Sequence, residues 1–304
     1  MAPGGGRQRG RARAVRTAGV HRPSLLPPLP GAGVSYEPGA SYEPGEVRRL
    51  FAEEARAERP DLATLCFLIG AEADPSLGPG DLDALQVELD RFAGELPYRP
   101  GGAREWAEAV RGLLGERYGF RGDASDYQRL DSSLLPQVLE RRRGLPILLS
   151  VVWIEVARRA GAPVYGIAAP GHFVVGFGSR AERVVADPFD GGRVIEAGPR
   201  SPAQEVGAAD PLAVVSRILN NIRAWASGQL DRSEAALWAV DLSLLLPSHP
   251  AQLRYERGKL LIQRGDYLGG AAELEAYAEI VEPVDESAAE KVRGEALGAR
   301  SLLN

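Results

Sequence analysis

After Glu46 the hydrophobic residues recur at three- and four-residue spacing, and this pattern predicts α-helices. Four helices are predicted before residue 120, in the segments VRRLFAEEA, DLATLCFLIGAEA, DLDALQVELDRFAGEL and REWAEAVRGLLGERYGF. We expect Asp61 and Asp81 to be N-caps, because each stands at the start of an apolar-periodic run. The segment LLPQVLERRRG predicts a further short helix.

The stretch from Pro146 to Ala160 is apolar on nearly every side, which predicts a buried helix. Pro146 suits the first turn of a helix, because a missing backbone N–H costs nothing there and the ring presets φ. Gly161-Ala162-Pro163 should end this helix. We expect Trp153 to anchor the core from within it.

The periodicity then changes to two. VYGIAA, HFVVGF and RVVADPF predict short strands separated by Pro-Gly and Gly-Ser turns, and GGRVIEA can add a fourth. Helical spacing returns at Asp210. Asn221–Pro247 and Gly258–Pro283 each predict helix, turn, helix, and RGDYLGGAAELEAY has the turn and small-residue pattern of a tetratricopeptide repeat. Trp225 and Trp238 are interpreted as packing between these helices rather than lining a groove.

Charge is distributed unevenly along the 304 residues. The net charge is −5, yet the residues before Glu37 include six Arg and no acid, so the rest of the chain is distinctly acidic. An acidic body argues against nucleic acid as a partner, apart from the basic tail. Residues 1–45 are rich in Gly, Pro and Arg and predict a disordered tail, with a basic arm that binds nucleic acid or an acidic partner as the alternative.

Composition also bounds the location. No apolar run is long enough for a membrane span, so we expect no membrane association. The single cysteine, Cys66, cannot form an internal disulfide, which fits a reducing compartment. These features predict a cytoplasmic protein.

Two residues suggest a catalytic arrangement. His172 follows Pro170-Gly171 at the start of a predicted strand, and Asp187 ends the next predicted strand. If the strands pair antiparallel through the 178–182 turn, both residues approach the N-terminus of the 146–160 helix. Cysteine-dependent acyl transfer places a thiolate at a helix N-terminus beside a His that a carboxylate orients. The thiol is missing here, and the nearest hydroxyl, Ser150, lies a full turn inside.

Residues 132–196 resemble the transglutaminase-like core, specifically its SirB1-type branch, which carries tetratricopeptide repeats behind it. The shared segments are VLERRRGLPILLS, VARRAGAPVYGI, PGHFVV and DPFDGG, and with the flanking helices the resemblance covers about residues 46 to 285. By this resemblance Gly161-Ala162-Pro163 corresponds to the element that closes the central helix fifteen residues past the family Cys. Pro146 therefore takes the nucleophile position, and His172 and Asp187 correspond to the family His and Asp as vestigial triad members.

The resemblance implies an α+β fold. We expect a helical N-terminal layer, a transglutaminase-like (papain-like) core with a small antiparallel sheet, and C-terminal α-helical TPR-like repeats. The predicted boundaries are a disordered tail at 1–45, the SirB1-type transglutaminase-like domain at 46–205 and the repeats at 206–304.

Three functions follow from these features. The leading hypothesis is a non-catalytic interaction module that binds a protein or peptide in the cleft at Pro146, His172 and Asp187 or on the repeat surface. The alternative is a hydrolase or acyltransferase in which a His172–Asp187 dyad activates water. The third is purely structural, with His172 bonded to Asp187 or a neighbouring backbone group inside a closed cleft.

The remaining polar features favour structural roles. Cys66 lies in the apolar run LATLCFLIG and is interpreted as a buried hydrophobe, with a substitute nucleophile as the alternative. Asp187 before Pro188 also suits a turn cap. Asp190-Gly191-Gly192 predicts a tight turn, with close approach to a ligand as the alternative. We expect no cofactor and no metal, because His21, His172 and His249 lack partners at metal-ligand spacing.

Overall fold

The computed structural model describes residues 40–302 except 99, 170, 180–181 and 196–208. Residues 1–39 of the tail predicted over 1–45 and the predicted domain boundary at 205 therefore lie outside the described residues. His21 lies outside them as well.

The described residues form α-helices and one four-stranded sheet. The first helices are α1 (Glu46–Glu54), α2 (Leu62–Ala73), α3 (Pro79–Gly94), α4 (Ala103–Val110), α5 (Leu135–Arg141) and α6 (Pro146–Arg159). The strands are β1 (Val164–Ala169), β2 (His172–Phe177), β3 (Val184–Asp187) and β4 (Arg193–Ile195). The C-terminal helices are α7 (Pro211–Ala226), α8 (Ser233–Leu245), α9 (Gln252–Gln263), α10 (Tyr267–Val281) and α11 (Glu286–Ser301). Each described helix is too short or too polar to cross a lipid bilayer.

Helix α6 lies at the centre of the main core. Every residue from Pro146 to Ala157 is buried, and Trp153 has no exposed surface. Pro146 is at the first turn, and Gly161 follows the helix with a φ of 87°, a conformation that favours glycine. The buried central helix predicted from the apolar pattern is confirmed.

The sheet is an antiparallel meander in the order β1-β2-β3-β4. Phe173, Val175 and Phe177 of β2 point into the main core with α6, whereas Val174 joins a small cluster on the opposite face. This alternation follows from the two-residue period of a strand. Ala169 pairs with His172, and Asp187 pairs with Arg193.

The starts of α2 and α3 show how local chemistry sets helix boundaries. Asp61 caps α2 as predicted, because its carboxylate accepts a hydrogen bond of 2.8 Å from the Thr64 N–H. The prediction for Asp81 was wrong: Pro79 begins α3 two residues earlier, and the Asp81 carboxylate instead accepts from the Gly78 N–H at 2.8 Å. The segment after α4 continues as a π-helix over Arg111–Arg117.

The C-terminal helices divide between two cores. Helices α7 and α8 contribute residues such as Ile218, Ile222 and Leu242 to the main core, whereas α9, α10 and α11 form a cluster of their own. Gly258 and Gly270 let α9 and α10 cross closely, because a Cβ on Gly258 would lie 3.0 Å from the Gly270 carbonyl oxygen. Helix α11 extends the array beyond the two predicted units.

An ion-pair network joins the N-terminal layer to the C-terminal helices. Asp241 of α8, with a side chain 10% exposed, accepts from Arg48 of α1 at 2.8 Å and from Arg257 of α9 at 2.6 Å. Arg48 also pairs with Glu72 of α2, and Arg257 pairs with Glu273 of α10. Five helices are thus connected through one largely buried carboxylate.

We expect Arg48→Gln to lower the free energy of unfolding by about 1–2 kcal/mol, because it leaves two mostly buried carboxylates, Glu72 and Asp241, with one cation fewer. The matched control is Arg49→Gln on the same helix. Arg49 pairs with Glu53 at the surface, and its loss should cost about 0.5 kcal/mol or less. Urea denaturation measures both values, and equal destabilisation would show that the network does not join the layers.

Candidate functional site

His172 and Asp187 are directly hydrogen-bonded. The distance from His172 Nε2 to Asp187 Oδ2 is 2.9 Å. Asp187 Oδ1 accepts from the Phe189 N–H at 3.0 Å, and the Asp187 carbonyl accepts from the Gly192 N–H at 2.7 Å. The carboxylate therefore orients the imidazole and also caps the turn that follows β3, so the two predicted roles coexist.

A row of aromatic rings supports the pair from one side. The Phe189 ring stands edge-on to His172 and to Tyr127, with centroid distances of 6.3 and 5.9 Å. A Cβ on Gly122 would lie 2.0 Å from the Phe189 ring, so this glycine leaves the space that the ring fills. The Phe189 ring therefore contacts the imidazole ring in addition to the hydrogen bond that Asp187 makes with its Nε2.

The surroundings of His172 favour its protonated form. The hydrogen bond to Asp187 raises the pKa of His172 above its usual value and the carboxylate charge adds to this, while burial and Arg217 oppose it. The His172 side chain is 33% exposed and that of Asp187 only 13%. Within the described part of the chain, Nδ1 of His172 has no hydrogen-bond partner. The imidazole can therefore meet a ligand or water through that nitrogen.

His172 opens onto a cleft of about 480 Å³. One wall is the N-terminus of α6 with Pro146, and another is α7. Other parts of the lining come from residues 127–133, between α4 and α5, and from residues 227–232, before α8. Asp187 lies behind His172 and does not line the cleft. Pro146 and His172 are thus brought together as the predicted topology requires, with Asp187 beside the imidazole.

The other candidate nucleophiles are enclosed. Cys66 is 1% exposed and does not line the cleft, and burial together with the charges of Glu155 and Asp61 raises the pKa of its thiol. The Ser150 hydroxyl is fully buried in α6 and faces the Phe173 carbonyl oxygen at 3.4 Å. Neither group reaches the cleft.

The Asp190-Gly191-Gly192 turn packs against the chain itself. A Cβ on Gly115 of the π-helical segment would lie 2.0 Å from the Gly191 carbonyl oxygen, and a Cβ on Gly192 would lie 3.1 Å from Trp153 Nε1. These glycines do not line the cleft. Their small size serves close backbone packing here rather than ligand approach.

Several cleft residues were not predicted from the sequence. Arg217, Asn221, Ala224 and Trp225 of α7 all line it, together with Tyr127 and Arg232. The packing interpretation holds for Trp238, which is 8% exposed, but Trp225 also lines the cleft and donates to the Gln128 carbonyl at 3.0 Å. The spacing 217, 221, 224 and 225 places these residues on one helical face, and this was the available signal.

Across the residues that the structure describes, no three His, Cys, Asp or Glu side chains are grouped to hold a metal ion. The side chains that line the cleft carry imidazole, guanidinium, amide, hydroxyl and aromatic groups.

Two known protein families match parts of this chain. Residues 81–199 match the model of the transglutaminase-like superfamily, and residues 222–297 match the tetratricopeptide repeat. The chain contains a transglutaminase-like domain followed by tetratricopeptide repeats. The expected α+β fold, with its small antiparallel sheet and C-terminal repeat helices, is confirmed.

Curated relatives are bacterial and mammalian. A UPF0162 protein of Xylella fastidiosa (strain Temecula1) is 35% identical over an alignment of 189 residues, which covers 57% of this chain and 66% of that protein. The chain thus spans just under two thirds of that relative. F-box only protein 21 of Mus musculus is 34% identical over 83 residues, or 27% of this chain and 13% of that protein. A crystal structure of menin aligns with a TM-score of 0.46 at 16% identity, covering 83% of this chain and 67% of that one.

We expect NMR titration to give His172 a pKa above the usual value of about 6.5. Asp187→Asn should return that pKa toward 6.5, because it removes the hydrogen-bonded carboxylate. Because the folded-state pKa is the higher one, the protonated pair stabilises the fold fully below about pH 6.5, and this contribution is lost as the pH rises through the folded pKa. Asp190→Asn, in the same turn but paired with Arg193, is the matched control and should leave the titration unchanged.

We expect Cys66 to resist thiol reagents in the folded protein, because its sulfur is buried and its thiolate is disfavoured. Labelling with iodoacetamide, followed by mass spectrometry, should occur only after denaturation. Rapid labelling of Cys66 in the native protein would restore it as a candidate nucleophile.

Proposed function

We propose that this chain is a non-catalytic member of the SirB1-type branch of transglutaminase-like proteins and binds a protein or peptide partner in the cytoplasm. The observation that carries the proposal is Pro146 at the first turn of α6, where it lines the cleft with His172. Proline offers neither a nucleophile nor a backbone N–H. In addition, the chain's cysteine is enclosed in the core.

The domain combination supports a binding role. A transglutaminase-like domain joined to tetratricopeptide repeats fits a protein-interaction module. Repeat helices stack into extended surfaces that commonly bind peptides. Here the first of the C-terminal helices, α7, forms one wall of the cleft, so a ligand seated beside His172 contacts both parts of the chain.

A second candidate is a hydrolase or acyltransferase in which the dyad activates water. It is favoured by the 2.9 Å hydrogen bond to Asp187 and by the one-third exposure of His172, since a carboxylate-oriented imidazole can act as a general base. Ser133 also lines the cleft as a buried residue that is 3% exposed. These groups define the activity assay.

The deciding experiment combines turnover with site-specific crosslinking. The purified chain is assayed on a panel of amides and esters beside His172→Ala and Ser133→Ala, and we expect all three to equal the background. A photo-crosslinking amino acid at Gln229, which is exposed and lines the cleft, should capture a protein partner in cells. The same group at Val87 of α3, which is 41% exposed and outside the lining, is the control.

Turnover by the wild type that is lost in His172→Ala would replace the binding proposal with the hydrolase. Equal capture from Gln229 and Val87 would remove the evidence for a specific cleft partner. These outcomes are independent, because the first concerns chemistry at the imidazole and the second concerns occupancy of the cleft.

We expect Pro146→Cys to create a reactive thiol, because the helix dipole and the adjacent imidazolium stabilise a thiolate at this position. The pH profile of alkylation should give a thiol pKa below the usual value of about 8.5. Adding His172→Ala should raise that pKa again. An unreactive thiol, or a profile that His172→Ala does not change, would show that position 146 does not face the imidazole.

A further inference from the structure

The cleft lining is positively charged although the chain as a whole is acidic. Arg129, Arg217 and Arg232 line it beside His172, and no Asp or Glu appears among the described lining residues. The net charge of the whole sequence is −5. A concave cationic surface on an acidic body focuses the electrostatic field and raises the local concentration of anionic ligands.

Two of these arginines are held by neutral carbonyl oxygens. Arg217 donates only to the carbonyl oxygens of Ala169 and His172, at 3.0 and 3.1 Å, and Arg232 donates to the carbonyl of Trp225 at 2.9 Å. Within the described ranges, neither guanidinium forms an ion pair with a carboxylate. Arg129 differs, because it pairs with Asp131 at 3.2 Å. Neutral carbonyls position the two guanidinium groups and leave their charge for a ligand.

Both guanidinium groups are also held by aromatic rings. Arg232 lies 4.2 Å from the centroid of the Trp225 ring, and Arg217 lies 5.7 Å from that of Phe173. Fixing the guanidinium groups in advance lowers the entropy lost on binding. Residues that dominate the energy of protein interfaces are enriched in Arg, Tyr and Trp. The cleft lining contains all three types, and its Tyr127 is 48% exposed.

We propose that the cleft binds an acidic peptide segment of a partner protein, with Asp or Glu carboxylates paired to Arg217 and Arg232. This inference rests on the proposed function and names the partner chemistry of the same site. Charge complementarity selects the ligand, because guanidinium groups bind carboxylates through paired, charge-assisted hydrogen bonds. The acidic body disfavours a long polyanion such as nucleic acid, whereas a short segment confined to the cleft avoids that repulsion. A volume of about 480 Å³ lies within the usual range for ligand sites.

The test measures fluorescence anisotropy of a short labelled peptide of alternating Glu and Leu with the purified full-length chain. A peptide with Gln in place of Glu is the first control and should bind at least about tenfold more weakly. Added salt should weaken binding of the acidic peptide and leave the Gln peptide unchanged.

Variants at Gln229 test the charge of the cleft without touching its arginines. Gln229 is exposed, and its side chain has no hydrogen-bond partner among the described residues, so replacing that side chain should not disturb folding. Gln229→Glu should weaken the acidic peptide by about fivefold and Gln229→Lys should strengthen it by a similar factor. The same exchanges at Gln263, exposed at the end of α9 and outside the lining, alter the net charge equally and should have no effect.

Arginine variants complete the assignment. Arg232→Gln should weaken the peptide by about tenfold, and Arg56→Gln, an exposed arginine outside the lining, should not. Equal binding of the Glu and Gln peptides, or equal effects at Gln229 and Gln263, would overturn the proposal. Tighter binding of a single-stranded oligonucleotide, lost in Arg232→Gln, would overturn the peptide assignment in favour of nucleic acid. A partner still crosslinked from Gln229 in either case would leave the proposed function standing while this inference fails.

Discussion

The burial of α6 from Pro146 to Ala157 is the constraint on which the rest of the structure depends. A helix that is apolar on nearly every side has to be covered on nearly every side, because each exposed apolar surface would cost free energy. The sheet covers one side, helices of the N-terminal layer cover others, and α7 closes the core from the C-terminal part. No single segment could supply all of this cover. The main core therefore extends from α1 to α8 and binds the transglutaminase-like domain to the first repeat helices.

The same constraint places the cleft. The N-terminus of α6 lines the cleft with the buried Pro146, and β2 begins at His172, which lines the same cleft. Asp187 is fixed from two directions, by the imidazole and by the turn that it caps. The turn packs closely on Gly115 of the π-helical segment, and Gly122 leaves the space that the Phe189 ring fills. A rigid turn thus orients an imidazole beside a helix end that carries proline.

The wall formed by α7 changes the chemistry of this space. Without it, the cleft would present an imidazole and a helix N-terminus. With it, the cleft gains guanidinium groups held by carbonyl oxygens and aromatic rings, which add positive charge beside the imidazole. The network around Asp241 ties the later repeat helices to the N-terminal layer. Core packing fixes the position of α7, and core packing together with the ion pairs of Asp241 fixes that of α8.

The local elements and the approach of His172 to Asp187 could be predicted from the sequence, because they depend on periodicity and on neighbours close along the chain. The apolar pattern identified α6, the two-residue period identified β1 and β2 to the residue, and the short β2–β3 turn brought His172 to Asp187. The boundary at Asp81 was missed because a proline two residues earlier begins the helix. That Trp225, Arg217 and Arg232 line the cleft follows from how the helices pack and could not be predicted from the sequence. Their role depends on which distant groups face them, and one helical face looks the same in sequence whether it meets solvent, a core or a ligand site.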